Sequence, residues 1–105
     1  MVIWRLEKGW CGPYTNYTYP EMQNEHNKDS KNHPGINSDT DFKFQWGMLC
    51  GFQKYGLLLK WFDNYLPKLK LLGFRVVKYK VPKKYVLFGK SGLQAAFNPE
   101  KAERL

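Results

Sequence analysis

The residue types best able to do chemistry are thinly spread along this chain. Cys11, His26, His33 and Cys50 are the ligand types of a zinc site, but structural zinc draws on close pairs, such as two cysteines separated by two residues, and the sequence has none. No metal is expected. His26 and His33 read instead as solvated residues of a polar loop, available as contacts for a partner. Glu7, Asp39 and Asp41 are candidate acids or bases, yet no motif gathers them to a pocket, and they read as surface carboxylates. The Gly-x-Ser-x-Gly nucleophile elbow is absent, and Gly89-Lys90-Ser91-Gly92 is too short for a phosphate loop. These residues predict a protein that is not an enzyme and that needs no cofactor.

The charge distribution carries more information. Between Asn64 and Pro99 lie Lys68, Lys70, Arg75, Lys78, Lys80, Lys83, Lys84 and Lys90, with no Asp or Glu among them. Elsewhere the basic and acidic residues cancel, so this segment carries the whole net charge of +8. A cluster of cations without intervening acids predicts a surface for an anionic partner: a protein or ribonucleoprotein complex, or nucleic acid itself. Tyr79 and Tyr85 stand close enough in sequence to stack on bases, although both also fit core positions, the better reading for a lone tyrosine in an apolar strand.

The elements that must position these residues follow from periodicity. Val2 to Glu7, Phe42 to Trp46 and Phe74 to Val81 alternate or are rich in β-branched and aromatic residues, as strands are. Tyr85 to Phe88 and Leu93 to Phe97 flank two glycines that suit a hairpin turn, so they are expected to pair antiparallel. Leu57, Leu58, Trp61, Phe62 and Tyr65 recur at helical spacing and predict a helix over about 53–65. Pro67 restarts a second helical piece that Gly73 ends, and Asn98-Pro99-Glu100 opens a short terminal helix. Pro20-Glu21 can start another, but from Pro20 to Asp41 the only large apolar residues are Met22 and Ile36, so the stretch from about 20 to 41 is expected to be a long, mobile polar loop. Tyr14, Tyr17 and Tyr19 punctuate the loop before it.

The predicted architecture is a single α+β domain over residues 1–105: a small, mainly antiparallel sheet with one or two helices packed on one face. A content of 43% apolar and 17% aromatic residues is ample for one core and excludes a disordered chain. Apolar runs as short as Leu57–Leu59 cannot span a bilayer, and Arg5 and Glu7 interrupt the start too early for a secretory signal. A cytoplasmic location, without a membrane partner, is the expectation, and the two cysteines are expected to be reduced thiols.

Ile3-Trp4-Arg5, Gly12-Pro13-Tyr14, His33-Pro34, Cys50-Gly51-Phe52 ahead of Leu57 and Trp61-Phe62, then Gly73-Phe74, Val81-Pro82 and Gln94 to Phe97 occur in an order that resembles small accessory proteins of tailed bacteriophages. The resemblance implies a binding protein that disables a host defence or gene-expression complex, as anti-CRISPR proteins do, acting in the cytoplasm of the host cell. The same order resembles compact ADP-ribosyltransferase-like and RES-type domains, which consume NAD and carry an arginine or histidine on an early strand and a catalytic acid or polar residue on a late one. Arg5 matches the first position. The late position falls near Gln94 rather than on the glutamate of a transferase, which implies a degenerate or purely binding member as readily as an NAD-dependent enzyme.

Overall fold

The computed structural model describes residues 1–15 and 18–105; Tyr17 lies outside them. Among the described residues six strands form two antiparallel sheets. In the first, β1 (Val2–Glu7) pairs with β3 (Arg75–Lys80) from Val2↔Lys80 to Glu7↔Arg75, and the short β6 (Glu103–Arg104) continues the sheet on the other edge of β3. In the second, β5 (Ala95–Phe97) lies between β2 (Leu49–Gly51) and β4 (Val86–Phe88). Trp4 and Phe52 exchange backbone hydrogen bonds of 2.7 and 2.8 Å and so tie the two sheets together. The chain is an α+β protein with two small sheets rather than the single sheet predicted.

The alternation in β1 sends its side chains into two cores. Leu6 packs with Met22, Phe52, Leu58, Phe62 and Phe74, against the helices; Ile3 packs with Tyr79, Val81, Ala95 and Phe97, against the second sheet. Such close approach needs small residues. A Cβ on Gly51 would stand 2.5 Å from Ile3 Cγ2 and 2.7 Å from the Trp4 carbonyl oxygen, so only glycine lets β2 reach β1 there.

Helix α3 (Tyr55–Phe62) buries Leu58, Trp61 and Phe62, the apolar stripe expected from its spacing. A 3-10 turn at Asp63–Tyr65 leads into α4 (Leu66–Leu71), where Pro67 occupies the first turn and Gly73, at φ +102°, closes the C-terminal end. The hairpin of β4 and β5 forms as predicted. After it, Asn98 Oδ1 caps Glu100 N at 3.0 Å over a single 3-10 turn, Pro99–Lys101, shorter than the terminal helix expected.

Two expectations fail. The stretch from 20 to 41 is not a long loop: α1 (Pro20–Lys28), which opens at the Pro20-Glu21 start expected from the sequence, and α2 (Ile36–Asp39) occupy most of it. Met22 is fully buried, His26, Asp39 and Thr40 are buried as well, and the polar ones are held by hydrogen bonds that hydropathy does not register. Phe42 to Trp46 is not a strand. Asp41 and Phe42 take left-handed backbone at φ +53° and +61°, which breaks an extended chain, and β2 begins only at Leu49. Phe42 is consequently 78% exposed and Trp46 100% exposed.

Candidate functional site

All eight cations of the acid-free segment are exposed, as the sequence predicts. Lys78 and Lys80 share a face of β3, with Lys83 and Lys84 in the 3-10 turn (Lys83–Tyr85) beyond Pro82. Among the described residues no carboxylate lies within ion-pair distance of Lys68, Lys70, Arg75, Lys78, Lys80, Lys83 or Lys84. Lys90 differs. Its Nζ meets Asp41 Oδ1 at 2.8 Å, an exposed pair that holds the Asp41 carboxyl below the ordinary carboxylate range and raises the Lys90 ammonium. Glu103, from beyond the segment, stands opposite Lys80 in the β3–β6 register and adds a negative charge that the segment itself does not reveal.

Aromatic rings accompany several of these cations. Lys78 Nζ lies 5.3 Å from the centroid of the half-buried Trp4 ring, Lys68 Nζ 5.5 Å from Tyr65, and Lys84 and Lys101 approach Tyr85 at 5.1 and 5.4 Å. Tyr85 is exposed and Tyr79 is buried in the core, where its hydroxyl donates to Glu7 Oε2 at 2.6 Å.

Arg5 and Gln94 line one cavity, but neither is free. Arg5 Nε donates to Glu7 Oε2 at 2.7 Å, Nη1 to the Cys50 carbonyl at 2.9 Å and Nη2 to the Trp10 carbonyl at 3.3 Å. Gln94 Nε2 donates to the Pro34 carbonyl at 2.7 Å and to Asp39 Oδ2 at 3.1 Å. Glu7 and Asp39 are thus buried partners of Arg5 and Gln94, not the surface carboxylates expected. Asp39 also accepts from Ser91 N and Ser91 Oγ, each at 2.8 Å, and a Cβ on Gly89 would collide with its Oδ2 at 2.1 Å. The cavity, about 320 Å³, is walled by Trp10, Tyr14, Phe52, Trp61 and Phe62. Both free thiols reach it: Cys11 is exposed, and burial pushes the Cys50 thiol up to about 11 despite the opposing Arg5 charge.

The histidines are not solvated loop residues either. His26, on α1, is buried with its ring stacked on that of His33, centroids 3.7 Å apart and planes at 10°. Trp61 Nε1 donates to the Tyr14 hydroxyl at 2.7 Å, which leaves the Tyr14 proton to be donated to His26 Nδ1. His33 Nε2 donates to the Trp61 carbonyl at 2.7 Å, so its Nδ1 is the bare nitrogen in the neutral ring, 3.4 Å from Asp29 Oδ2. Burial, with His33 as neighbour, pushes His26 down to about 4, and burial raises the Tyr14 hydroxyl. Sequence spacing gave no sign of this relay, because its members come from a loop, α1, the α1–α2 connection and α3. Among the described residues no cluster of three or more His, Cys, Asp or Glu is placed to hold a metal ion, and no helix is long and apolar enough to cross a membrane.

These observations define the class: a small α+β protein with exposed cations along residues 68–90, an aromatic-lined cavity and a buried histidine relay. Over residues 1–105 its sequence matches the family described as bacteriophage T4 Y00F protein, and the chain belongs to that family. It is a small phage accessory protein, as the order of its short motifs implied; the likeness to ADP-ribosyltransferases finds no support in the comparisons. No curated protein and no solved structure matches the chain.

Proposed function

We propose that this protein acts in the infected cell by binding, and thereby inhibiting, an anionic host complex, a ribonucleoprotein assembly of the kind targeted by anti-CRISPR proteins or a gene-expression machine. One observation carries the reading: seven exposed cations within residues 68–84 have no carboxylate partner among the described residues. Unpaired cations on one segment are a cost to the free protein, through mutual repulsion, and become favourable when phosphates or carboxylates meet them. No cofactor enters this reading.

The test compares two quadruple variants, Lys78, Lys80, Lys83 and Lys84 to Gln and Lys8, Lys28, Lys31 and Lys43 to Gln, as baits in bacterial lysate with and without nuclease. The first should retain its target at least about tenfold less well at moderate salt, and the second should change retention far less. Nuclease-sensitive retention of many proteins would instead mark a general nucleic-acid binder. Equal retention by both variants, each folded, would reduce the cationic surface to a solvated face.

A second reading, a compact NAD-consuming enzyme, is favoured by one fact: Arg5 and Gln94 line a common cavity. Incubation with NAD should then release nicotinamide, and no release above background would remove it.

A further inference from the structure

We propose that the aromatic cavity beside Arg5 is a nucleobase-binding site, which takes one base as a flat ring and leaves the attached phosphate at Arg104. The ligand class deepens the anionic-partner reading and rests on it, since it makes the partner a nucleotide, free or within an unpaired strand.

Three features of the cavity support this. Five of its lining residues, Trp10, Tyr14, Phe52, Trp61 and Phe62, are aromatic, and rings of Trp, Tyr and Phe are what a base stacks on. At about 320 Å³ it lies at the low end of ligand cavities, room for one monocyclic or bicyclic ring and too little for a whole dinucleotide.

Its polar groups match a base edge. A guanidinium has five N–H donors, and Arg5 uses three, on Glu7, Cys50 O and Trp10 O; two have no acceptor among the described residues. Gln94 places its amide nitrogen on Pro34 O and Asp39, and its Oε1 accepts no hydrogen bond among the described residues. Donors from Arg5 and an acceptor from Gln94 complement the carbonyl, ring-nitrogen and amino groups of a base. Both side chains are buried and held by other partners, so they are already oriented when a ring enters.

The rim supplies the charge. Trp10, 64% exposed, has the Arg104 guanidinium 5.0 Å from its ring centroid, and the only carboxylate within ion-pair distance of Arg104 among the described residues is Glu7, at 3.4 Å. A large ring standing in water beside a cation is an arrangement that a base and its phosphate would cover.

The experiment is a calorimetric titration of the full chain with 5′-mononucleotides and with a ten-nucleotide single strand, for wild type, Trp10→Ala, Gly12→Val and the Lys78, Lys80, Lys83 and Lys84 to Gln variant. A Cβ at Gly12 would stand 3.5 Å from Arg5 Nη2, so a branched side chain there narrows the cavity over the guanidinium, whereas Trp10→Ala removes an exposed wall. Mononucleotides should bind wild type with one site and bind Trp10→Ala and Gly12→Val at least tenfold more weakly. The quadruple lysine variant should bind mononucleotides as wild type does, which separates this proposal from the cationic-surface reading. Equal affinity for mononucleotide and strand marks a free nucleotide as the ligand; a tighter strand that mononucleotides displace marks an unpaired base. Should both cavity variants unfold, protection of the exposed Cys11 thiol from alkylation by saturating mononucleotide in wild type decides the matter. No heat of binding with any nucleotide, unchanged affinity in folded Gly12→Val, or no Cys11 protection overturns the proposal.

Discussion

A neutral His26 is built into its surroundings. Its Nδ1 accepts the Tyr14 proton and its face lies against His33, so a proton on this ring displaces a donor and sets a charge against a second imidazole. In the unfolded chain the imidazole protonates near the ordinary 6.5, and in the folded chain only near about 4. The unfolded state therefore holds more protons between those values, and stability must fall with falling pH across that window. The contribution is full above pH 6.5, declines toward pH 4 and changes no further below. We expect the gap in urea midpoint between wild type and His26→Gln to narrow from pH 7 to pH 4. A gap that stays constant over this range would contradict the account. Asp39 is the other polar residue whose role depends on burial: three donors converge on its carboxylate, so Asp39→Ala takes the acceptor from the Ser91 amide and hydroxyl and from one Gln94 N–H, and should cost about 1–3 kcal/mol by urea unfolding.

Among the elements, α1 is the instructive case. A nine-residue helix whose composition is polar holds its place through one buried apolar side chain, Met22, the hydrogen-bonded ring of His26 and the Glu25 carboxylate, which accepts from the Tyr65 hydroxyl. Met22→Ala should destabilise the protein by about 2–5 kcal/mol, and the amides of α1 should exchange at rates near those of β1, whereas a mobile loop would show neither effect. The elements that were legible in the sequence, β1, α3, β3 and the β4–β5 hairpin among them, bury runs or stripes of apolar residues, so periodicity and burial report the same thing. In 20–41 they do not: three of the four buried residues, His26, Asp39 and Thr40, are polar, and the partners of His26 and Asp39, namely Tyr14, Ser91 and Gln94, lie outside the stretch. At 42–46 alternation alone suggested a strand, but Asp41 N and Phe42 N close back on the Ser38 and Asn37 carbonyls in a left-handed bend, and Lys90 pairs with Asp41 there from across the fold. The candidate sites divide likewise. The exposure of the lysines was readable from residue type and strand phase; the pairing of Lys90 with Asp41, and the shared cavity of Arg5 and Gln94, depend on contacts across the fold.

At the scale of the whole molecule, the loop carrying Phe42 and Trp46 stands in water with no apolar neighbour to cover its tip, while the net charge of +8 surrounds it. Like charges keep copies apart at low ionic strength, where the Debye length is about 10 Å at 0.1 M, and lose that reach near 1 M, where it is about 3 Å. The colloidal behaviour should therefore run opposite to that of a protein salted in by screening: sedimentation should report a monomer in dilute buffer and growing self-association as salt rises. Trp46→Ser should abolish the trend. On this account a single tryptophan that solvent surrounds on every side makes electrostatic repulsion, rather than surface polarity, the property on which the separation of copies should depend.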